Sequence, residues 1–405
     1  MKKIIISILF FFPIIVFAQG YQLNLQSVRQ TGMGGTGDAD PQDASALFFN
    51  PGSAAFLKTN SVTGGILPVI SKGVFADASS GHVSNSDNPT VTPFYVGAIF
   101  GNPSGRIRYG VDVYTPYGSV MQWGNDFTGH FQITKISLES VAVQPTITFK
   151  VTNNFGIGAG FVYGYGHIDL RQDLPLTMSN GSFANAEVKT PANSFGFNVG
   201  AYYKFSDQFA AALTYRSALK MKSSGGKVDF TVPASLSGEF VDQKINAKLP
   251  LPDNLSLGFS YNPTNRLTIN LDGVTANWKP YDTITIHYSQ PSAALTDTKL
   301  IRKYMRAYSL KLGAEYKFTP QFNGRIGFVY DKSPIPNDLV NPDVPDANRL
   351  SPSIGIGYNP CSKLRIDASF LYEHIKRKGE NRLTDINGEY LFNLYIPGLS
   401  ITYNF

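Results

Sequence analysis

The chain has 405 residues, 16% charged and 13% aromatic, with 38 Gly, 22 Tyr and 29 Phe. Its formal charge of +6 falls to +4 once Lys2 and Lys3 are set aside as part of a leader, which gives no argument for a nucleic-acid partner. A single cysteine, Cys361, excludes an internal disulfide and a multi-cysteine metal site.

The first element in chain order is a secretory signal. Lys2 and Lys3 supply the charged start, residues 4–17 the apolar stretch, and Val16-Phe17-Ala18 a cleavage site, predicting a mature chain from near Gln19. The apolar run is shorter than the ~20 residues a spanning helix needs. No cysteine stands at the cleavage site, which argues against a lipoprotein. Next comes DASALFFNPGSAAFL, residues 43–57, two apolar runs around an Asn50-Pro51-Gly52 breaker.

From residue 61 onward the pattern changes to a period of two. Fourteen segments alternate apolar and polar residues: 61–77, 90–100, 106–115, 137–150, 154–171, 192–205, 208–221, 251–262, 266–275, 304–318, 321–331, 348–359, 363–376 and 390–405. The clearest is AYSLKLGAEYKF, residues 307–318, with Tyr308, Leu310, Leu312, Ala314 and Tyr316 on one face and Lys311 and Glu315 on the other. No run of 18 apolar residues follows the leader, so helical membrane spans are not expected.

The connections alternate too. Short turns (101–105, 152–153, 206–207, 263–265, 319–320, 360–362) separate long loops (78–89, 116–136, 172–191, 222–250, 276–303, 332–347, 377–389). That rhythm, an even strand count and abundant aromatic residues predict an all-β fold: a 14-stranded antiparallel transmembrane β-barrel with both ends periplasmic. A soluble β-sandwich would alternate as well, but it has no reason to keep short and long connections in strict turn.

Several features sharpen the reading. Arg266, Asp272, Lys311, Glu315, Lys317, Arg325, Asp331, Lys363, Arg365, Asp367 and Glu373 fall on polar strand faces, where mixed signs favour pairing around a plug over an open pore of one sign. Gly156, Gly158, Gly160, Gly164 and Gly166 share one face, which either lets something approach the wall closely or lets the strand curve. Pro116 cannot donate to a ladder and so ends the third strand. The terminal LSITYNF puts Leu399, Ile401, Tyr403 and Phe405 on one face and looks like the signal read by barrel-assembly machinery.

Catalytic and metal motifs are missing. There is no Gly-x-Ser-x-Gly elbow, and the five histidines lack metal-ligand spacing. GTGDAD (residues 35–40) lacks the lysine of a phosphate loop. A calcium loop opening at Asp38 fails at its sixth and twelfth positions, Asp43 and Phe49. No enzyme activity, cofactor or metal is expected.

The stretch GYQLNLQSVRQTGMGGTGDADPQDASALFFNPGSAAFL resembles the N-terminal hatch of the FadL family of outer-membrane long-chain fatty-acid transporters. VDVYTPYGSVMQW (111–123), residues 251–278 and residues 310–358 are similar to the same family, so the resemblance covers nearly the whole mature chain. It implies a signal peptide (1–18), a hatch (19–58) and a barrel (59–405) plugged by that hatch. The family catches a hydrophobic ligand among extracellular loops, passes it to a lumen pocket and releases it sideways through a shift of the hatch and a kink in the third strand. The hatch motif maps onto Asn50 and Pro51, with Gly52 where the family often has Ala. The kink maps near Pro116 and Gly118. Phe48, Phe49 and Phe56 either line the ligand pocket or hold the hatch in place. The implied function is passive uptake of long-chain fatty acids or similar hydrophobic compounds by a monomer set among outer-membrane lipid and lipopolysaccharide. Aromatic or alkane hydrocarbons are the alternative cargo, and an outer-membrane enzyme or adhesin barrel the competing class.

Overall fold

The computed structural model describes residues 20–223, 225–293, 295–384 and 386–405; the leader and its cleavage site lie outside them. Fourteen strands form the ring, in chain order Ser61–Ile66, Phe94–Phe100, Ile107–Tyr114, Lys135–Lys150, Phe155–Thr177, Phe183–Lys204, Phe209–Arg216, Asp253–Thr264, Leu267–Asn277, Arg306–Lys317, Phe322–Asp331, Arg349–Cys361, Leu364–Gly379 and Gly388–Asn404. Each pairs antiparallel with its predecessor. The last returns to the first, with Ser61 opposite Asn404 and Ile66 opposite Leu399. Closure leaves no open edge, so backbone amides and carbonyls are satisfied without water. The strand count and closure agree with the expectation from alternation.

Period-two alternation sorts the side chains. On the last strand Leu399, Ile401, Tyr403 and Phe405 face outward and exposed, while Ser400 and Thr402 are buried inside. Aromatic rings gather where the short turns lie: Phe205 and Phe209 at 5.4 Å, Phe322 and Tyr358 at 4.9 Å. Such a girdle marks the membrane interface, and short turns mark the periplasmic end.

Several long connections expected as loops contain strand: Val83–Asn85 lies within 78–89 and Gly118–Gln122 within 116–136, and three others carry longer runs. The fifth and sixth strands run on to Thr177 and from Phe183, across most of residues 172–191. Gly226–Thr231, Gln243–Pro250, Thr283–Tyr288 and Thr298–Ile301 continue the sheet within 222–250 and 276–303. The physical reason is an inversion of phase. Inside the membrane the fifth strand turns Tyr163 and Tyr165 outward and Gly164 and Gly166 inward. Above it, Ile168 and Leu170 point inward, with Val188 of the sixth strand. Asp169, Arg171, Glu187 and Lys189 then form outer ion pairs with one another and with Lys135. Where lipid gives way to water the apolar face changes sides, so alternation read in one phase stops there although the strand does not.

The third strand is interrupted. Tyr114 pairs with Ala142, but the next paired residue, Gly118, opposes Glu139. Three residues, Thr115, Pro116 and Tyr117, therefore face two on the fourth strand, which makes a bulge. Pro116 has no amide to give the ladder, and the chain resumes as Gly118–Gln122.

Candidate transport site: the plugged lumen

Residues 20–57 fill the ring. They form a four-residue helix, Val28–Thr31, a second, Ala46–Phe49, and a 3-10 turn, Ser53–Phe56. Helices this short do not persist alone in water, so the wall must hold them.

The Asn-Pro-Gly turn is seated by a bare patch of wall. Asn50 Oδ1 accepts from the Gly52 amide at 2.8 Å and the Ser53 amide at 3.1 Å, capping the 3-10 turn. Its Nδ2 donates to the wall carbonyls of Ala201 (3.0 Å) and Leu213 (3.2 Å). Gly158 and Gly200 are paired across the fifth and sixth strands. A β-carbon on Gly158 would lie 2.5 Å from Pro51, and one on Gly200 2.3 Å from Asn50 Oδ1. Gly52 is as constrained: its β-carbon would sit 2.7 Å from the Gly200 carbonyl oxygen. An alanine in this position of the turn would need the wall to move. Of the glycine row, Gly156 and Gly158 admit the hatch, whereas Gly160, Gly164 and Gly166 face wall side chains.

Ion pairs hold the rest. Buried Arg29 reaches Asp40 at 3.0 Å and Glu315 at 3.2 Å, and Arg325 bridges Glu315 (2.6 Å) to Asp367 (2.8 Å). Arg365 joins Asp43 of the hatch to Asp367 of the wall. Burial alone would push the Asp43 carboxyl up; Arg365, Ser45 and Arg29 outweigh it and hold the group below the usual carboxylate range. Of the charges assigned to the lumen from sequence, Arg266, Lys317 and Lys363 are instead exposed at the short-turn end, where strand alternation no longer decides between inside and outside.

At its upper end the hatch pairs with the broken strand. Leu23 donates its amide to the Pro116 carbonyl and Gly118 donates to the Tyr21 carbonyl, both at 3.2 Å. Gln26 Nε2 donates to the Thr115 carbonyl at 2.9 Å. Backbone groups released by the bulge thus find partners on the plug. Tyr21 sits among Trp278 (6.2 Å between centroids) and Tyr281 (5.9 Å).

Above the hatch lies a cavity of about 620 Å³. Leu23, Leu25 and Gly34 of the hatch line it, with Leu371, Phe392 and Ile396 of the last two strands. Asp331, Asp346, Arg349 and Glu373 make it polar at one side. The lining also includes Thr115 and Gly118 at the strand break, and Val141 and Tyr165, whose side chains are exposed on the barrel's outer face.

The residues singled out from sequence fall in three places. Asn50, Pro51 and Gly52 meet the wall; Gly118 borders the cavity at the break, with Pro116 beside it. Phe48, Phe49 and Phe56 are not among the cavity's lining residues. Phe48 lies under the Arg216 guanidinium (3.9 Å) and edge-on to Tyr114 (4.9 Å) and Phe49 (5.2 Å), while Phe56 meets Tyr202 at 4.9 Å. Their bulk goes to fixing the hatch against strands. Sequence reading missed Leu371 and Phe392. The available signal was a leucine on the otherwise polar face of the thirteenth strand.

A closed 14-stranded barrel, banded outside with apolar residues and plugged inside by its own N-terminus, defines an outer-membrane barrel protein. Residues 10–405 match the family model described as outer membrane protein transport protein (OMPP1/FadL/TodX), and the chain belongs to that family. The long-chain fatty acid transport protein of Escherichia coli O6:H1 is 23% identical over 406 residues, covering 88% of this chain and 87% of that one. A Pseudomonas aeruginosa FadL homologue of known crystal structure superposes with a TM-score of 0.84 at 20% identity, over 96% of this chain and 100% of that one. The Pseudomonas putida toluene transporter TodX gives 0.73 at 16% identity, over 96% and 99%. These likenesses, at such identities, establish the shared barrel.

Proposed function

We propose that this protein lets hydrophobic small molecules pass from the extracellular side into the outer membrane by way of the cavity and the break in the third strand. One observation carries the reading. The cavity's lining runs from inward-facing Leu371 and Ile396, past Thr115 and Gly118, to outward-facing Val141 and Tyr165. Its volume falls within the range of pockets that hold small ligands. The hatch fills the lumen below, so the way out is sideways. Transfer is passive, driven by partition into hydrocarbon at about 0.8 kcal/mol per methylene. In this reading Asn50, Pro51 and Gly52 seat the plug, Phe48, Phe49 and Phe56 brace it, and Pro116 and Gly118 shape the exit. The relatives' names point to long-chain fatty acids or to aromatic hydrocarbons as cargo.

Cells making the protein should take up labelled oleate or toluene faster than cells lacking it. Equal rates with the barrel verified at the surface would overturn the proposal. The exit is tested separately by Gly118→Trp. A β-carbon at residue 118 lies 3.0 Å from Leu23, and an indole there obstructs the opening. Uptake should fall about tenfold while the unheated barrel keeps its folded mobility on gels. Undiminished uptake would remove this opening from the route.

A further inference from the structure

We infer from the charged groups of the cavity that its cargo is an uncharged hydrophobic molecule, and that the site discriminates against carboxylates. This rests on the transport reading above and narrows it. The charged residues that line the cavity from inside are Asp331, Asp343, Asp346, Glu373 and Arg349, while Glu139 and His167, paired across two strands and both exposed, stand at the outer mouth. Four carboxylates thus line the inside against one guanidinium, and a second, Arg302, lies behind Asp343.

Both guanidinium groups already hold carboxylates. Arg349 is surrounded: its Nη1 lies 2.7 Å from Asp346, its Nε 3.2 Å from Glu373 and its Nη2 3.4 Å from Asp331. Arg302 is engaged by both oxygens of Asp343, at 3.1 and 2.6 Å. Both arginine side chains are more than nine-tenths buried. A fatty-acid head entering here meets more carboxylates than guanidinium groups, and it competes for each guanidinium with carboxylates already bound to it. Water that would screen the repulsion is reduced in a lumen of this kind, so like charges weigh more than on a surface. An alcohol, an alkane or an arene meets no such cost, and Leu371, Ile375, Phe392, Leu394 and Ile396 offer it an apolar wall.

The test uses guests of one chain length that differ only in the head. Purified full-length protein in phosphatidylcholine nanodiscs is loaded with the neutral probe N-phenyl-1-naphthylamine. It is then titrated at pH 8 with 1-dodecanol or dodecanoate, and the signal from empty discs is subtracted. Dodecanol should displace the probe at concentrations at least tenfold lower than dodecanoate. Equal potency, or tighter dodecanoate, would overturn the inference and leave the transport reading standing. Failure of the probe and both guests to bind would overturn that reading too. The double change Asp331→Asn with Glu373→Gln frees two sides of Arg349 and should narrow the dodecanol-to-dodecanoate ratio severalfold. An unaltered ratio in that folded variant would remove these carboxylates as its cause.

Discussion

Arg29→Ala is expected to release the hatch while leaving the barrel intact. Arg29 is the cation on which Asp40 of the hatch and Glu315 of the tenth strand converge, and all three groups are buried. Removing one partner of a buried ion pair leaves the others charged in a medium that cannot solvate them, at about 3–5 kcal/mol. The loss falls on the hatch, because Glu315 keeps Arg325 and the wall keeps its hydrogen-bonded ladder. Limited proteolysis of the native protein should therefore cut within residues 20–57 of the variant and spare the wild type. The cut barrel should still run as a folded band without heating. Equal resistance in both proteins would show that the charge network does not anchor the plug.

The second large effect is expected at Gly158→Val. A β-carbon there would stand 2.5 Å from the Pro51 carbonyl, and valine adds two methyls beyond it. Overpacking of this kind costs about 1–3 kcal/mol when neighbours can shift. Here the neighbour is the backbone of the hatch turn, so Asn50 should lose its bonds to Ala201 and Leu213. The control is its neighbour in the chain. Ala159 points outward, so Ala159→Val should leave melting temperature and protease resistance unchanged. Gly158→Val should lower the first and expose the hatch. Matching behaviour of the two variants would mean that the turn is not seated on the glycines.

The barrel was legible because its two surroundings differ at every second residue. Lipid outside and polar lumen inside impose alternation, and short turns on one side alone give the direction. The same logic explains the misreading of residues 172–191, since the alternation persists but the apolar face moves from Tyr165 to Ile168. The hatch motif was legible as a breaker between apolar runs. Its glycine seat was half legible: the row on the fifth strand was visible, but its meeting with Gly200 is a matter of strand register. The cavity was not legible. Asp331, Arg349 and Glu373 lie on three successive strands, and nothing in one sequence shows that a single guanidinium serves them all. Phe48 and Phe49 illustrate the reverse hazard. Adjacent aromatic residues in a plug read equally well as ligand wall or as brace, and only the contacts of Phe48 with Arg216 and Tyr114, and of Phe49 with Phe48, separate the two.

The ion pairs of the hatch also set an order of events. Arg29 and Glu315 are 286 residues apart in the chain, and Asp43 and Arg365 are 322 apart. Loop closure over such distances comes late, after the local hairpins of a sheet have formed. The part of the described chain that comes first is thus seated late, because its anchors belong to the tenth and thirteenth strands. Until those strands exist, the charges of Arg29 and Asp43 lack their partners on the wall. A segment near the start of the chain thus waits on strands near its end before its charges can be neutralised.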